Sequence, residues 1–255
     1  MIKIRLIRHA TLQVVINDQK ILVDPFLAPK DSYDPIIWTS NGLRNPMVDL
    51  PFGEDALRQL IQESDLVLVT HTHNDHWDVT AQQMIPKDQL IAGQVEDEAK
   101  FRQQGFTNVV AIKDQYSWQG ITIHRTGGQH GTGEIGQKMA PVSGYVLQDG
   151  KSSVYIAGDT IWCPEVLQAL EKHQPDIIVL NTGAARFDMG DPITMTAEDV
   201  VQVAQHTTSR NLICVHMDTV NHCYLKRPLL KDALKTANLL DRCQLPADGE
   251  WVKLT

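Results

Sequence analysis

The stretch Thr70-His71-Thr72-His73-Asn74-Asp75-His76 places four candidate metal ligands within six positions. Imidazole and carboxylate are donors that suit zinc and its first-row neighbours. A polar, His-rich surface loop is the plain alternative. Against it, the string directly follows the apolar run Leu66-Val67-Leu68-Val69, which reads as a buried strand. Three more residues of the same chemistry follow apolar runs: His130 in the loop Gly127-Gly128-Gln129-His130-Gly131-Thr132-Gly133, Asp159 after Ser153–Ala157, and His216 after Asn211–Val215. A lone His130 or His216 is as readily a hydrogen-bonded structural residue. In company with the string they form one set, because α/β folds gather their chemistry at the carboxyl ends of strands.

The positioning elements can be read in order. Residues Ile2 to Val23 alternate like three strands and end at Asp24-Pro25-Phe26, where proline stops the ladder. Residues 27–53 carry prolines at 29, 35, 46 and 51 together with Tyr33, Ile36, Ile37 and Trp38. A long irregular segment of this kind is expected to be a lid over a substrate or a flap covering core or another subunit. Glu54 to Gln62 has helical periodicity, as do Glu96 to Gln104 before Gly105, a stretch from Pro164, one from Thr196, and one from about Leu229 to Leu239. Further strands are expected near Leu90-Ile91 and over Val109–Ile112, Ile121–Arg125, Val142–Leu147 and Asp176–Leu180. No repeat, low-complexity tract or linker interrupts this, so residues 1–255 read as a single domain.

With 42% hydrophobic and 21% charged residues, the composition is that of a globular chain with a sizeable core. Its 23 basic and 31 acidic residues give a formal charge of −8, which argues against nucleic acid or an anionic membrane as partner. The four cysteines, Cys163, Cys214, Cys223 and Cys243, have no C-x-x-C spacing and read as reduced thiols. The start, Met1-Ile2-Lys3-Ile4-Arg5-Leu6, lacks the apolar core of a signal peptide. The expected location is the cytoplasm and the expected partner a small-molecule substrate, with homo-oligomerisation left open.

The string His71-x-His73-x-Asp75-His76 followed by His130, Asp159 and His216 resembles the metallo-β-lactamase fold superfamily. The phrases Leu22-Val23-Asp24-Pro25-Phe26, Ile156-Ala157-Gly158-Asp159-Thr160 and Val215-His216-Met217-Asp218 extend the resemblance to near residue 222. The overall cast is similar to the branch of small metal-dependent hydrolases that contains ascorbate-6-phosphate lactonase. The resemblance implies an α/β fold, a four-layer αββα sandwich. It also implies two divalent metal ions, zinc first and manganese or iron as alternatives. One metal would take His71, His73 and His130; the other would take Asp75, His76 and His216, with Asp159 bridging. Metals ~3.5–4 Å apart hold a bridging hydroxide that attacks a polarised bond. The implied activity is a metal-dependent hydrolase acting on an ester-like bond, phosphodiester or lactone. His73 stands where the oxygen-reducing di-iron relatives carry Glu, which disfavours redox chemistry. The alternatives are a metal-stabilised binding or sensing protein without catalysis, and an iron-dependent redox protein.

Around this set, Asp75 is expected to bind metal and also to accept a hydrogen bond from the attacking water. Asp24 could orient a metal-bound imidazole or form a turn before Pro25. His9 and His222 could line the pocket as oxyanion or proton donors, or be hydrogen-bonded loop residues. Asn181 could donate to substrate or cap a turn. His124, His173 and His206 read as structural or surface residues, and Arg186 and Lys138 as solvated loop charges.

Overall fold

The computed structural model describes residues 1–254. The chain opens with the meander β1 (Lys3–Arg8), β2 (Thr11–Ile16) and β3 (Gln19–Val23). Asn17 and Asp18 turn β2 into β3 at φ of 49° and 59°, the left-handed pair that a two-residue hairpin requires. After the irregular stretch 24–53 come α1 (Glu54–Gln62), β4 (Leu66–Val69), α2 (Val79–Met84), β5 (Ile91–Gln94), α3 (Glu98–Gln103) and β6 (Val109–Ile112). The second half runs β7 (Gln115–Trp118), β8 (Ile121–Thr126), α4 (Gly133–Met139), β9 (Gly144–Gln148), β10 (Ser153–Ile156) and α5 (Pro164–His173). It continues with β11 (Ile177–Asn181), α6 (Ala197–Gln205), β12 (Asn211–Val215), α7 (Arg227–Thr236) and β13 (Cys243–Gln244).

Two sheets form, in the orders β1-β2-β3-β4-β5-β6 and β13-β12-β11-β10-β9-β8-β7. Each is antiparallel at one end and parallel at the other, from β3 to β6 and from β10 to β13. The sheets face each other across one apolar layer that includes Leu6, Val14, Leu66, Leu68, Ile123, Leu147, Ile156 and Val179. Alternate residues of the same strands point outward, because side chains on a strand alternate between faces. Val67 and Val69 meet Leu57, Leu60 and Ile61 of α1 together with Trp77 and Phe101. On the other side Tyr155, Ile178 and Leu180 lie under Val166 and Leu170 of α5, Val200 and Val203 of α6, and Leu234 of α7. The layers are therefore helix, sheet, sheet, helix, the expected αββα sandwich. No helix among the described residues is long and apolar enough to cross a membrane.

Several expected boundaries move. The helix expected over 96–104 opens as a 3-10 turn, Val95–Asp97, before α3. The last helix starts at Arg227 and stops before Asn238, which has φ of 56°. β11 begins one residue late, because the Asp176 carboxylate accepts from the Ser153 backbone N–H at 2.8 Å. The short elements α2, α4, β7 and β13 were not expected, and α4 follows directly on the glycine loop.

Strand direction brings the chemistry to one edge. β1 is antiparallel to β2 and β2 to β3, so β1 points the same way as β3 and the parallel strands. The carboxyl ends of β1, β3, β4, β10, β11 and β12 deliver His9, Asp24, His71, Asp159, Asn181 and His216. At this edge the His216 N–H donates to the His9 carbonyl at 2.9 Å, tying the two sheets together. His9, Asp24 and His216 turn there at φ of 59°, 44° and 70°. Left-handed non-glycine residues cost ~1–3 kcal/mol each and collect at functional sites.

Candidate metal centre

All seven candidate ligands meet at this edge. Donor atoms of His71, His73 and His130 lie within 4.8 Å of one another; so do those of His71, His76 and Asp159, and those of His9, Asp75, His76 and His216. Asp159 sits between the groups. Its Oδ2 is 3.2 Å from His76 Nε2, 3.5 Å from His130 Nε2 and 4.0 Å from His71 Nε2, and its Oδ1 is 3.2 Å from His216 Nε2. Asp75 Oδ2 lies 3.6 Å from His216 Nε2 and 3.9 Å from His76 Nε2. His73 Nδ1 is 2.9 Å from His71 Nε2. Gly158 makes the turn into Asp159 at φ of 69°, where a Cβ would stand 2.6 Å from the Ser143 carbonyl oxygen, so only glycine fits.

The remote ring nitrogens decide what the near ones can do. Asp24 accepts from His76 Nδ1 at 2.8 Å and from the Thr70 N–H and hydroxyl, each at 2.7 Å. The Thr70 hydroxyl proton is thereby committed, so its oxygen accepts from His71 Nδ1 at 3.1 Å. The Ile193 carbonyl accepts from His130 Nδ1 at 2.7 Å. With protons fixed at Nδ1, the neutral His71 and His130 rings aim bare Nε2 lone pairs toward the Asp159 carboxylate, which His76 Nε2 also faces. Lone pairs facing a buried carboxylate repel it unless a cation lies between them. The donor set therefore fits divalent metal. Asp24, expected to orient an imidazole, touches His76 directly and reaches His71 through Thr70. Asn181 Nδ2 donates to Asp159 Oδ1 at 2.7 Å, and Asn181 is not among the residues that line the cavity over the centre, so it holds the carboxylate.

His9 also has a nitrogen in this group, with Nε2 3.1 Å from Asp75 Oδ2 and its ring 3.6 Å from that of His216. Its Nδ1, however, is buried without a partner. A ligand bound through Nε2 would leave an orphan N–H at Nδ1, a defect that folded proteins rarely carry. His9 is better described as a neutral ring donating Nε2–H to Asp75 and holding that carboxylate in place. His222 shares the pattern, with its ring at the cavity wall and its Nδ1 buried and unpartnered.

Charge follows from the same geometry. Burial alone disfavours a charged His76, but Asp159, Asp24 and Asp75 raise it to about 10. His216 is likewise raised well above the usual value, against burial, chiefly by Asp159. Burial and then His76 push His71 well below its ordinary value, and burial takes His130 to about 4. His9 falls to about 3 and His222 to about 4, burial being the main cause for both. Burial would raise Asp75 and Asp159, but the neighbouring His76 and His216 rings hold both well below the carboxylate range. Without a cation, protons on His76 and His216 balance the two carboxylates.

The centre floors a cavity of about 230 Å³ lined by Phe26, Tyr33, Ile36, Met139, Phe187, Val220 and His222, besides His73, Asp75, His130 and Asp159. No Lys or Arg lines it among the described residues. The 27–53 stretch supplies one wall and is clasped by residues that the sequence did not single out. Asp78 accepts from the Leu27 and Ala28 N–H groups at 3.1 and 2.8 Å, from Tyr33 at 3.1 Å, and caps α2. Arg8, fully buried, donates to the Phe26 and Ala28 carbonyls at 2.8 and 2.9 Å. Asn221 binds the Ile36 N–H at 3.1 Å, Thr39 at 2.8 Å and Asn45 at 2.9 Å. Only Asp78 had a readable signal, as an Asp before Val79-Thr80-Ala81 at a helix start. The segment therefore lines the pocket and covers core together, while Trp38 at its tip is 71% exposed. Arg186 stacks over Tyr224 at 5.0 Å instead of facing the cavity.

Residues 3–216 match the family described as the Beta-lactamase superfamily domain. The chain belongs to the beta-lactamase superfamily. Within it the chain is 37% identical over 249 residues to UPF0173 protein YddR of Bacillus subtilis, covering 96% of each. A solved structure described as a possible metal-dependent hydrolase from Veillonella parvula superposes with a TM-score of 0.94 at 36% identity, over 99% of both chains. Isothiocyanate hydrolase from Delia radicum gut bacteria gives a TM-score of 0.92 at 38% identity, over 98% of both. The enzyme class of this superfamily member is metal-dependent hydrolase.

Proposed function

We propose that the chain is a dinuclear metal-dependent hydrolase of a small, uncharged, apolar electrophile, and that an organic isothiocyanate is the substrate class. The observation that carries this reading is the cavity: a cluster of metal donors at its floor, mostly apolar walls, and no Lys or Arg among the described lining residues. A phosphodiester could meet its countercharge only at the metal floor, since no lysine or arginine lines the walls among the described residues, so it ranks behind neutral substrates. A neutral lactone fits the same walls and is the second substrate to test. The likeness to isothiocyanate hydrolase, over nearly the whole of both chains, supports the leading choice.

In this reading His71, His73 and His130 would hold one divalent ion and Asp75, His76 and His216 the other, with Asp159 available to both and zinc the first candidate. Bound ions supply Lewis acidity that brings the pKa of a coordinated water to about 7. Asp24 and Ile193 keep the ring nitrogens unprotonated on the metal side, and His9 and Asn181 fix the two carboxylates. Asp75 accepts a hydrogen bond from the attacking water, while Phe26, Phe187 and Val220 exclude bulk water from the R group. Water adds to R–N=C=S with oxygen bonding to carbon and a proton going to nitrogen. The thiocarbamic acid formed breaks its C–N bond to release the amine R–NH2 and carbonyl sulfide. We take the cytoplasm as the location, where buried free thiols such as Cys214 and Cys243 stay reduced.

The test is turnover of alkyl isothiocyanates and simple lactones by zinc- and manganese-loaded protein, following amine release and ring opening. Amine release that is lost with chelator and absent in Asp159→Ala is the expected result. Absence of turnover on both classes at full metal loading would overturn the proposal.

A further inference from the structure

We propose that His222 is a catalytic hydrogen-bond donor, presenting Nε2–H to the substrate heteroatom on which negative charge builds as water adds to carbon. This rests on the hydrolase reading of the cavity and deepens it. Four observations carry it. The ring lines the cavity, and the residue is only 5% exposed. Its Nδ1 is buried and has no hydrogen-bond partner. Two other polar lining groups are engaged within the protein: Tyr33 donates to Asp78, and Asn45 to Asn221. Finally, the loop that carries His222 is fixed, since its carbonyl accepts from the Arg186 N–H at 3.1 Å and its ring packs 6.2 Å from that of Phe187.

The tautomer follows from the orphan. A proton at Nδ1 would be a buried donor with nothing to receive it, whereas a bare Nδ1 forfeits only an acceptor, the milder defect. The proton therefore belongs on Nε2, the nitrogen left to meet the cavity. His9 is the internal comparison: it too has an orphaned Nδ1, and its Nε2 is 3.1 Å from the Asp75 carboxylate. In His9 the Nε2 donor is taken by the protein. In His222 it is unspent.

A donor aimed at developing charge in a site that excludes water contributes about 10²–10³ in rate. The donor position is Nε2, so glutamine is its isostere and leucine its apolar replacement. We expect His222→Leu to lower kcat/KM for methyl and hexyl isothiocyanate by about 10²-fold, mainly through kcat, with metal content and melting temperature unchanged. His222→Gln should recover at least about tenfold of that loss. Histidine 15N–1H spectra of the metal-loaded protein should show His222 as the Nε2–H tautomer. Wild-type turnover with an undiminished His222→Leu variant overturns the donor role and leaves the hydrolase reading standing. If the wild type turns over neither probe, the isothiocyanate reading falls; the spectra then still decide, and an Nδ1–H tautomer overturns the inference by itself.

Discussion

Asp24 holds both halves of the candidate centre through one carboxylate, touching His76 directly and His71 by way of Thr70. Outer partners of this kind set the tautomer and basicity of a ligand, and losing one costs 10–100-fold in metal affinity. Asp24→Asn keeps the shape but can turn an N–H toward His76 Nδ1. Competition with a chromophoric chelator should show metal bound about 10–100-fold more weakly. A second residue-scale consequence concerns protons. In the metal-free protein His76 is raised to about 10, so at pH 7 it holds a proton that a metal must displace. Apparent affinity should therefore rise with pH from 6.5 up to about 10. Calorimetric titration in buffers of different ionisation enthalpy should count net proton release near pH 7.5, and a metal uptake without release would contradict the charge assignment.

At the scale of elements, the centre depends on segments held by side chains far away in sequence. Asn221 clasps 36–45 through its amide and backbone. Asn221→Ala removes several hydrogen bonds and leaves the buried Asn45 Nδ2 donor without its acceptor, which costs roughly 1–3 kcal/mol. The expected signature is a lower denaturant midpoint, faster protease cleavage within 36–45 and a raised KM, with metal content unchanged. Gly183→Ala should act on the metal instead. A Cβ there would lie 2.5 Å from the His216 carbonyl oxygen and 3.0 Å from its Nδ1, so His216 must move and loading should fall. These two variants separate the wall from the floor. They also mark where the sequence was legible. His71, Asp159 and His216 could be read because an apolar strand and its terminal ligand are adjacent in the chain. Arg8 and Asn221 could not, because they bind backbone groups up to 185 positions away, and a carbonyl or N–H leaves no trace in residue type. Short helices such as α2 and α4 hold too few turns for a 3.6 period to emerge, and the expectation of a helix end at Leu239 overran a left-handed Asn238.

For the whole molecule, the buried histidines couple stability to pH in opposite directions. His9, His130 and His222 are lowered to about 3, 4 and 4. Between those values and 6.5 the unfolded chain binds protons that the folded chain refuses, so stability falls as pH drops below 6.5. His76 is raised to about 10. Between 6.5 and that value the folded chain keeps a proton that the unfolded chain has lost, so stability falls as pH rises. The metal-free protein should therefore be most stable near pH 6.5 and decline on both sides. Loading acts most on the alkaline limb, because metal replaces the protons on His76 and His216 and its affinity grows as those protons become easier to lose. With free metal at 100–1,000 times Kd, binding adds about 2.7–4.1 kcal/mol, or roughly 5–15 °C in Tm for a chain of this size. Thermal melts from pH 4 to 10, with chelator and with zinc, test this directly. The gap between the two curves should widen steadily from pH 6 to 9. A constant gap would mean that neither His76 nor His216 carries an extra proton in the metal-free fold, and that the bond to Asp24 is made by a neutral ring throughout.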